Sequence, residues 1–404
     1  MNDASAAKAA IPHRAIFFLS LGGLAVGANL RVCDPLLPQV AGDFGVTTGQ
    51  VSIIVSSFAI AFAVLQAFFG PLGDRHGKYK VICWSLAWAS VGVTLCALAP
   101  NLGLLTAARL VAATGAAAII PLSMAWIGDV VPYEARQGVL ARFVSGQITG
   151  FILGQSAGGI VGEHFGWRAA FVLVAALHVI AAAGLARELR FNAATRHVPP
   201  ADAKGVSPAS ILRGLAALWA VPWVRVILVT VLLEGAMLFG AFTFVGAHLK
   251  QAFDIGYGWV GAMLGLFGGG GLTYAFFAGR LVARLGEPGL VRAGGLLLGA
   301  AFATIALAPV PAVAAAGIYL VGFGFYCVHN TLQTNATQMA PQARGAAVSF
   351  FAQVFFLGQA SGVALNGLAV DRLGAEPGFF VAAAGLPLLG LWFSGRLRGR
   401  GASA

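Results

Sequence analysis

The sequence predicts an all-α integral membrane protein of twelve transmembrane helices, built as two pseudo-symmetric six-helix bundles. Three observations predict it. Of 404 residues, 59% are hydrophobic and only 10% charged, with a mean hydropathy of +0.85, whereas a soluble domain carries roughly 25% charged residues. A soluble fold of this length lacks the polar residues to cover so much apolar side chain, and lipid removes that requirement. The length suits twelve spans of about 20 residues with short connections. Finally, blocks of the first half recur in the second at a nearly constant offset.

Apolar runs begin near residues 15, 50, 80, 103, 138, 167, 221, 257, 289, 312, 345 and 377. The first follows Lys8 and Arg14 and resembles the start of a signal peptide. Eleven further spans follow it, so it is read as an uncleaved first helix. Most connections are short. The exception, residues 187–219, carries Arg187, Glu188, Arg190, Arg196, Lys204, Arg213 and the pair Pro199–Pro200. It is read as a cytoplasmic linker joining an N-terminal six-helix bundle (1–186) to a C-terminal one (220–404). Fifty-five glycines permit close helix contacts in lipid.

Orientation follows from Lys and Arg. With the N-terminus inside, loops 2–3, 4–5, 6–7, 8–9 and 10–11, both tails and the adjoining span ends hold about 20 of the 25 cations. The opposite loops hold Arg168, Lys250 and Arg372, and Arg31 and Arg109 lie within spans. The asymmetry places both termini in the cytoplasm and supports an even span count. The net charge of +11 is therefore a topology signal, not a nucleic-acid surface. Cys33, Cys83, Cys96 and Cys327 sit in apolar stretches without CxxC spacing and are read as buried thiols, not disulfides or metal ligands.

The duplication is legible in three places. Leu153-Gly154-Gln155-Ser156-Ala157-Gly158 pairs with Leu357-Gly358-Gln359-Ala360-Ser361-Gly362 at an offset of 204. Ala135-Arg136-Gln137-Gly138 pairs with Ala343-Arg344-Gly345 at about 208, and the loop at Gly70 pairs with the loop at Gly279 at 209. Matches in one order at nearly one offset indicate parallel repeats about an axis along the membrane normal.

Between spans 2 and 3 stands Gly70-Pro71-Leu72-Gly73-Asp74-Arg75-His76-Gly77-Lys78-Tyr79-Lys80. It closely resembles the cytoplasmic loop signature G-x-L-x-D-R-x-G-R/K-K/R of the major facilitator superfamily. The second copy, Gly279 to Gly286, lacks the aspartate. The resemblance implies the superfamily's fold and a conformational latch of Gly70, Asp74, Arg75, Gly77, Lys78, Asp129 and Arg136. In that latch Asp74 sits at the N-terminus of span 11, near Gly345, where the helix dipole favours an anion by roughly 0.3–1 kcal/mol. Arg75 pairs with Asp129 or Glu134. Arg109 followed by Gly115 in span 4 is similar to the family's R-x-x-x-x-G pattern, whose arginine faces the cavity. Glycines 146, 150, 154, 158 and 162 form one stripe on span 5, since i and i+4 share a face. The stripe resembles the antiporter signature G-x-x-x-G-P-x-x-G-G, although Gln155 stands where that signature has proline. Gly166-Trp167-Arg168-Ala169-Ala170-Phe171 also resembles the family.

Ionisable groups in hydrocarbon cost about 2.5 kcal/mol or more and tend to be functional. Arg31 and Asp34 share a face of span 1, and Arg109 lies at similar depth, so the three are expected within reach of one another. Asp34 is read as a proton or substrate site, with a structural ion pair or interfacial cap as the alternative. Glu234, near the middle of span 7 with no cation in helical reach, is the leading candidate for proton coupling; a carboxyl hydrogen-bonded between helices is its alternative. Asn29, Gln155, Asn330, Gln333, Asn335 and Gln359 are candidate cavity groups, with Gln155 and Gln359 equivalent by the repeat. Phe58, Phe239, Phe242, Phe244 and Tyr326 are candidate walls.

No nucleotide loop, HExxH or metal-ligand cluster is present, so no enzyme, cofactor or metal is expected. The resemblance implies a monomeric secondary transporter of the bacterial inner membrane, with a small-molecule substrate, protons and the lipid bilayer as its partners and no nucleic acid. The twelve-span drug:proton antiporter branch is the nearest likeness. Import or facilitated passage of a nutrient or organic anion is the alternative.

Overall fold

A computed structural model of the protein describes residues 11–196, 208–340 and 344–401. Among the described residues, ten helices are long and apolar enough to cross a membrane. One of them, Tyr257–Ala306, is broken at Gly286, whose φ of 63° interrupts the helix, and so forms two legs. Tyr133–Phe165 has 33 residues and is not among those ten, its body being rich in glycine and carrying Gln147 and Gln155. The long legs are α1 His13–Arg31, α2 Ile53–His76, α3 Lys78–Leu98, α4 Leu102–Val130, α5 Tyr133–Phe165, α6 Trp167–Phe191, α7 Pro222–Phe242, α8 (257–285), α9 (287–306), α10 Pro311–Gln338, α11 Arg344–Leu373 and α12 Glu376–Gly401.

Two hydrophobic cores form. One is built almost wholly from residues 15–185 and the other from residues 218–397. The stretch between them is helical at both ends: α6 continues to Phe191, and Pro208–Ala220 is helical. Of the expected linker, Pro199, Pro200 and Lys204 lie outside the described residues, as does Ala343 of the repeat.

The glycines explain how the helices meet. A Cβ on Gly154 would stand 2.4 Å from the Ala28 carbonyl oxygen, and one on Gly158 3.1 Å from Val32. Shifted by 204 residues on both partners, Gly358 meets the Leu232 carbonyl and Gly362 that of Ala236. The stripe on α5 therefore seats α1, and its repeat on α11 seats α7. Gly159 serves the other face of α5, where it packs on Gly261 of α8 and joins the halves. Opposite, Phe62 of α2 meets Phe356 of α11 at 4.6 Å between ring centroids.

The signature between spans 2 and 3 is not a loop. Helix α2 runs to His76, and the whole turn is Gly77 at φ 92°. The second copy turns likewise on the one residue Gly286, which is Gly77 shifted by 209. Only glycine adopts such a φ without strain, so the last glycine of the motif makes the turn. Gly70 lies within the helix with open space around it.

Both α1 and α7 break near their outer ends. After Arg31 the chain turns through residues 32–36 and resumes as Leu37–Phe44; after Phe242 it turns and resumes as Val245–Phe253. Irregular backbone at membrane depth is tolerated where protein buries it, and Asp34 is fully buried at the first break.

Candidate functional site

Among its buried polar groups each half has a cluster with a membrane-embedded carboxylate, and the two clusters approach each other at the seam. In the first half, Arg31 Nη1 stands 3.7 Å from Asp34 Oδ2. Gln155 of α5 donates from Nε2 to the same oxygen at 3.2 Å. The Arg31 guanidinium crosses the seam and lies 3.9 Å over the ring of Phe239 on α7, with Phe151 on its other side at 5.6 Å. A cation over an aromatic face is attracted by the ring quadrupole, more strongly when desolvated. Arg31 Nε, Asp34 Oδ1 and Gln155 Oε1 are buried without a hydrogen-bond partner in the protein.

Arg109 does not join them. It is fully buried, donating from Nη1 to Asn29 Oδ1 at 2.6 Å and to the Asn29 carbonyl at 3.2 Å, and from Nε to the Ile54 carbonyl at 3.1 Å. Its guanidinium lies 4.1 Å over Phe58. Sequence spacing gave depth but not azimuth, and on α4 the side chain points at α1 and α2 rather than at Asp34.

In the second half, Glu234 is fully buried, and its Oε2 lies 2.8 Å from His329 Nδ1 on α10. Its Oε1 has no partner. His329 was missed by sequence reasoning, which singled out its neighbour Asn330. The available signal was the one histidine within the apolar run of span 10. The imidazole stacks on Phe325 at 4.7 Å and meets Phe355 at 4.7 Å and Phe351 at 5.4 Å. Phe325 and Phe355 both meet Phe239, at 5.5 and 5.7 Å. One ring thus carries Arg31 on its face while its neighbours carry the Glu234–His329 pair.

The remaining candidates scatter. Gln359 is buried with Oε1 unpartnered, and no hydrogen bond joins it to Gln155 among the described residues. Asn330 reaches Tyr274. Asn335 donates to Glu287 at 2.9 Å, fixing the inner start of α9. Gln333 is exposed and belongs to no buried site.

Two inter-half carboxylate contacts lie on the side that the cations assign to the outside. Asp371, at the end of α11, accepts from Thr47 Oγ1 at 2.6 Å and from the Gly49 amide at 2.9 Å, at the capped start of the short helix leading into α2. Glu163, at the end of α5, accepts from the Gly258 amide at 2.7 Å, at the start of α8. Each half thus sets a carboxylate on a helix N-terminus of the other, where free amides and the dipole favour it. On the inner side Lys78 takes Asp129 at 2.6 Å and Asp74 at 3.5 Å. The expected Arg75–Asp129 pair is replaced by this one, because Lys78 begins α3 directly beneath Asp129. The Asp74 side chain is 66% exposed, and its partner lies in its own half. Arg136 donates to the Val131 carbonyl at 3.4 Å from Nε and 3.3 Å from Nη2.

The outer turn before α6 accounts for its motif. Gly166 takes φ 83°, which turns Trp167 Nε1 to Asp43 at 3.0 Å. Arg168 donates to Asp43 as well and to the Ala99 carbonyl. Those two donors hold the Asp43 carboxyl below the usual carboxylate range.

A family model described as Major Facilitator Superfamily matches residues 19–363. The MFS-type transporter YceJ of Bacillus subtilis strain 168 is 26% identical over 361 residues, covering 88% of this chain and 89% of that one. A chloramphenicol resistance protein of Streptomyces lividans is 27% identical over 347 residues, covering 86% of each. Among solved structures, the POT family transporter PepTSo superposes with a TM-score of 0.76 at 16% identity, over 97% of this chain and 99% of that one.

Proposed function

This chain belongs to the major facilitator superfamily, and from that premise we propose that it exports small, amphiphilic organic compounds in exchange for protons by alternating access. It does so as a monomer in the bacterial inner membrane, with both termini in the cytoplasm. The observation that carries this reading is the fully buried Glu234 paired with the part-buried His329 at 2.8 Å, set in an aromatic wall that reaches the seam through Phe239.

In this reading the pair is the carrier of one exchangeable proton. Removing it leaves one net negative charge in hydrocarbon, at a cost of about 2.5 kcal/mol or more. A returning proton relieves that cost, and so does an amphiphile that sets its polar or cationic part against the carboxylate and its apolar part on the phenylalanines. The two occupants exclude each other, which is the requirement for exchange. The likeness to a chloramphenicol resistance protein supports the outward direction.

A second reading, uptake of an organic anion, is favoured by Arg31, whose buried Nε lacks a partner at the same seam. Everted vesicles energised by respiration and loaded with a pH-sensitive dye separate the two. Export by exchange releases lumenal protons when chloramphenicol or a cationic dye is added, and Glu234→Gln abolishes the release. No proton movement in the wild type overturns the exchange reading.

A further inference from the structure

The geometry points to a binding site for one anionic phospholipid of the cytoplasmic leaflet, in the groove between α3 and α6 on the lipid-facing side of the first half. The groove has a volume of about 620 Å³ and is lined by Cys83, Trp84, Ala87 and Ser90 on α3 and chiefly by Ala182, Ala183, Ala186 and Arg190 on α6. Small side chains on both helices leave a slot where larger ones would close the seam. It follows α3 from Cys83 to Ser90, and from Lys80, one turn before it, to Ser90 the helix rises roughly 15 Å, the depth of one leaflet in a core about 30 Å thick. An acyl chain fits that slot.

The cytoplasmic end is cationic. Arg190 lines the groove, and Lys80 Nζ lies 4.6 Å over Trp84. Among the described residues neither makes an ion pair. Glu188, the acid nearest Arg190 on α6, is turned to Arg14 at 3.5 Å. A lipid phosphate is the charge that satisfies both cations at headgroup depth.

Two internal comparisons make this more than ordinary lipid contact. The same seam continues outward as a second cavity of about 370 Å³ lined by Thr94, Ala97, Leu98, Ala176 and Ile180, among others, and no cation lines it. The nearest outer cation, Arg168, is spent on Asp43. In the second half the corresponding α9–α12 seam is shut by backbone: a Cβ on Gly295 would stand 3.0 Å from the Gly390 Cα, and one on Gly299 2.3 Å from the Pro387 ring. The repeat therefore does not require the groove, and only the first half has it with a cationic mouth.

The test is native mass spectrometry of the full-length protein delipidated and titrated with phosphatidylglycerol or phosphatidylcholine of identical chains. Two interfacial cations predict roughly a thirtyfold preference for phosphatidylglycerol in the first binding event. Arg190→Gln with Lys80→Gln, both on exposed side chains, brings the two lipids to parity. Ala183→Phe, which fills the inner cavity, removes the tight event for phosphatidylglycerol, whereas Ala176→Phe in the outer cavity leaves it intact. Equal binding of the two lipids by the wild type overturns the proposal. So does a preference that survives the double substitution in protein that remains monodisperse, or equal effects of Ala183→Phe and Ala176→Phe.

Discussion

At the scale of single residues, the fate of each buried charge follows from its partners. Arg109 donates to carbonyl and amide oxygens and so ties α4 to α1 and α2. Asn29→Ala removes the 2.6 Å acceptor and strands a buried charged donor. The expected cost is about 1–3 kcal/mol, read as a lowered melting temperature in detergent, and Asn29→Asp, which keeps an acceptor, loses less. Glu234 differs in that its Oε2 lies within hydrogen-bond distance of His329 Nδ1, at 2.8 Å. Glu234→Gln keeps the volume and one hydrogen bond, so the protein folds while uphill export falls about tenfold or more; substrate-dependent proton release measures it. His329→Ala gives the same loss, which a purely structural histidine does not. At the outer surface Asp43 is held ionised by Arg168 and Trp167, and its lowered pKa fixes the sign of its pH dependence. The stabilisation is complete above the unfolded value near ~3.9 and fades as the pH falls through the lower folded value. The pair is half-exposed, so Asp43→Asn costs at most about 1 kcal/mol at neutral pH, and the difference between variant and wild type in melts shrinks only as the pH falls from about 4 through the lower folded value.

At the scale of the helices, the glycines divide into those that meet backbone and those that meet nothing. Gly154→Leu drives a side chain into the Ala28 carbonyl at 2.4 Å, and overpacking of this kind costs about 1–3 kcal/mol or more. Gly395, interior to α12 with open space around it, is the contrast: Gly395→Ala raises stability by about 0.5–1 kcal/mol. Thermal melts of the two variants check both signs. The same helices show what was legible in the sequence. Apolar run length and cation placement located the helix starts to within a few residues, and the offset of 204 proved to be a packing register, with Gly154 on Ala28 and Gly358 on Leu232. The signature at Gly70–Lys80 was legible as a motif but not as a shape, since one glycine with positive φ makes the turn. The site was legible only in part. Burial in lipid flagged Arg31, Asp34 and Glu234, but an apolar stretch carries no periodic signal of which way a side chain faces. Hence Arg109 was expected beside Asp34, Gln333 in a cavity, and His329 not at all.

At the scale of the whole molecule, the two halves are closed against each other at their outer ends, and the devices that close them are carboxylates on helix N-termini. Asp371 caps the start of the helix before α2, and Glu163 the start of α8. The inner pairs of Lys78 with Asp74 and Asp129 stay within one half, so nothing among them resists parting of the inner ends. With the sides assigned by the cations, the two outer caps are interactions that must break for the outer ends to part. A capping carboxylate contributes typically ~1 kcal/mol. Asp371→Asn with Glu163→Gln therefore removes about 2 kcal/mol from this state alone and multiplies the outward-facing population by roughly thirty. Spin labels at Gly42→Cys in the first half and Gln251→Cys in the second, both exposed on the outer face, report the change by pulsed electron resonance. The expected result is a single short distance in the otherwise wild-type protein and a second, longer one in the double variant. If the distribution is unchanged while both caps are gone, the outer seam is held by the Gly159–Gly261 and Phe62–Phe356 packing instead, and the caps only finish their helices.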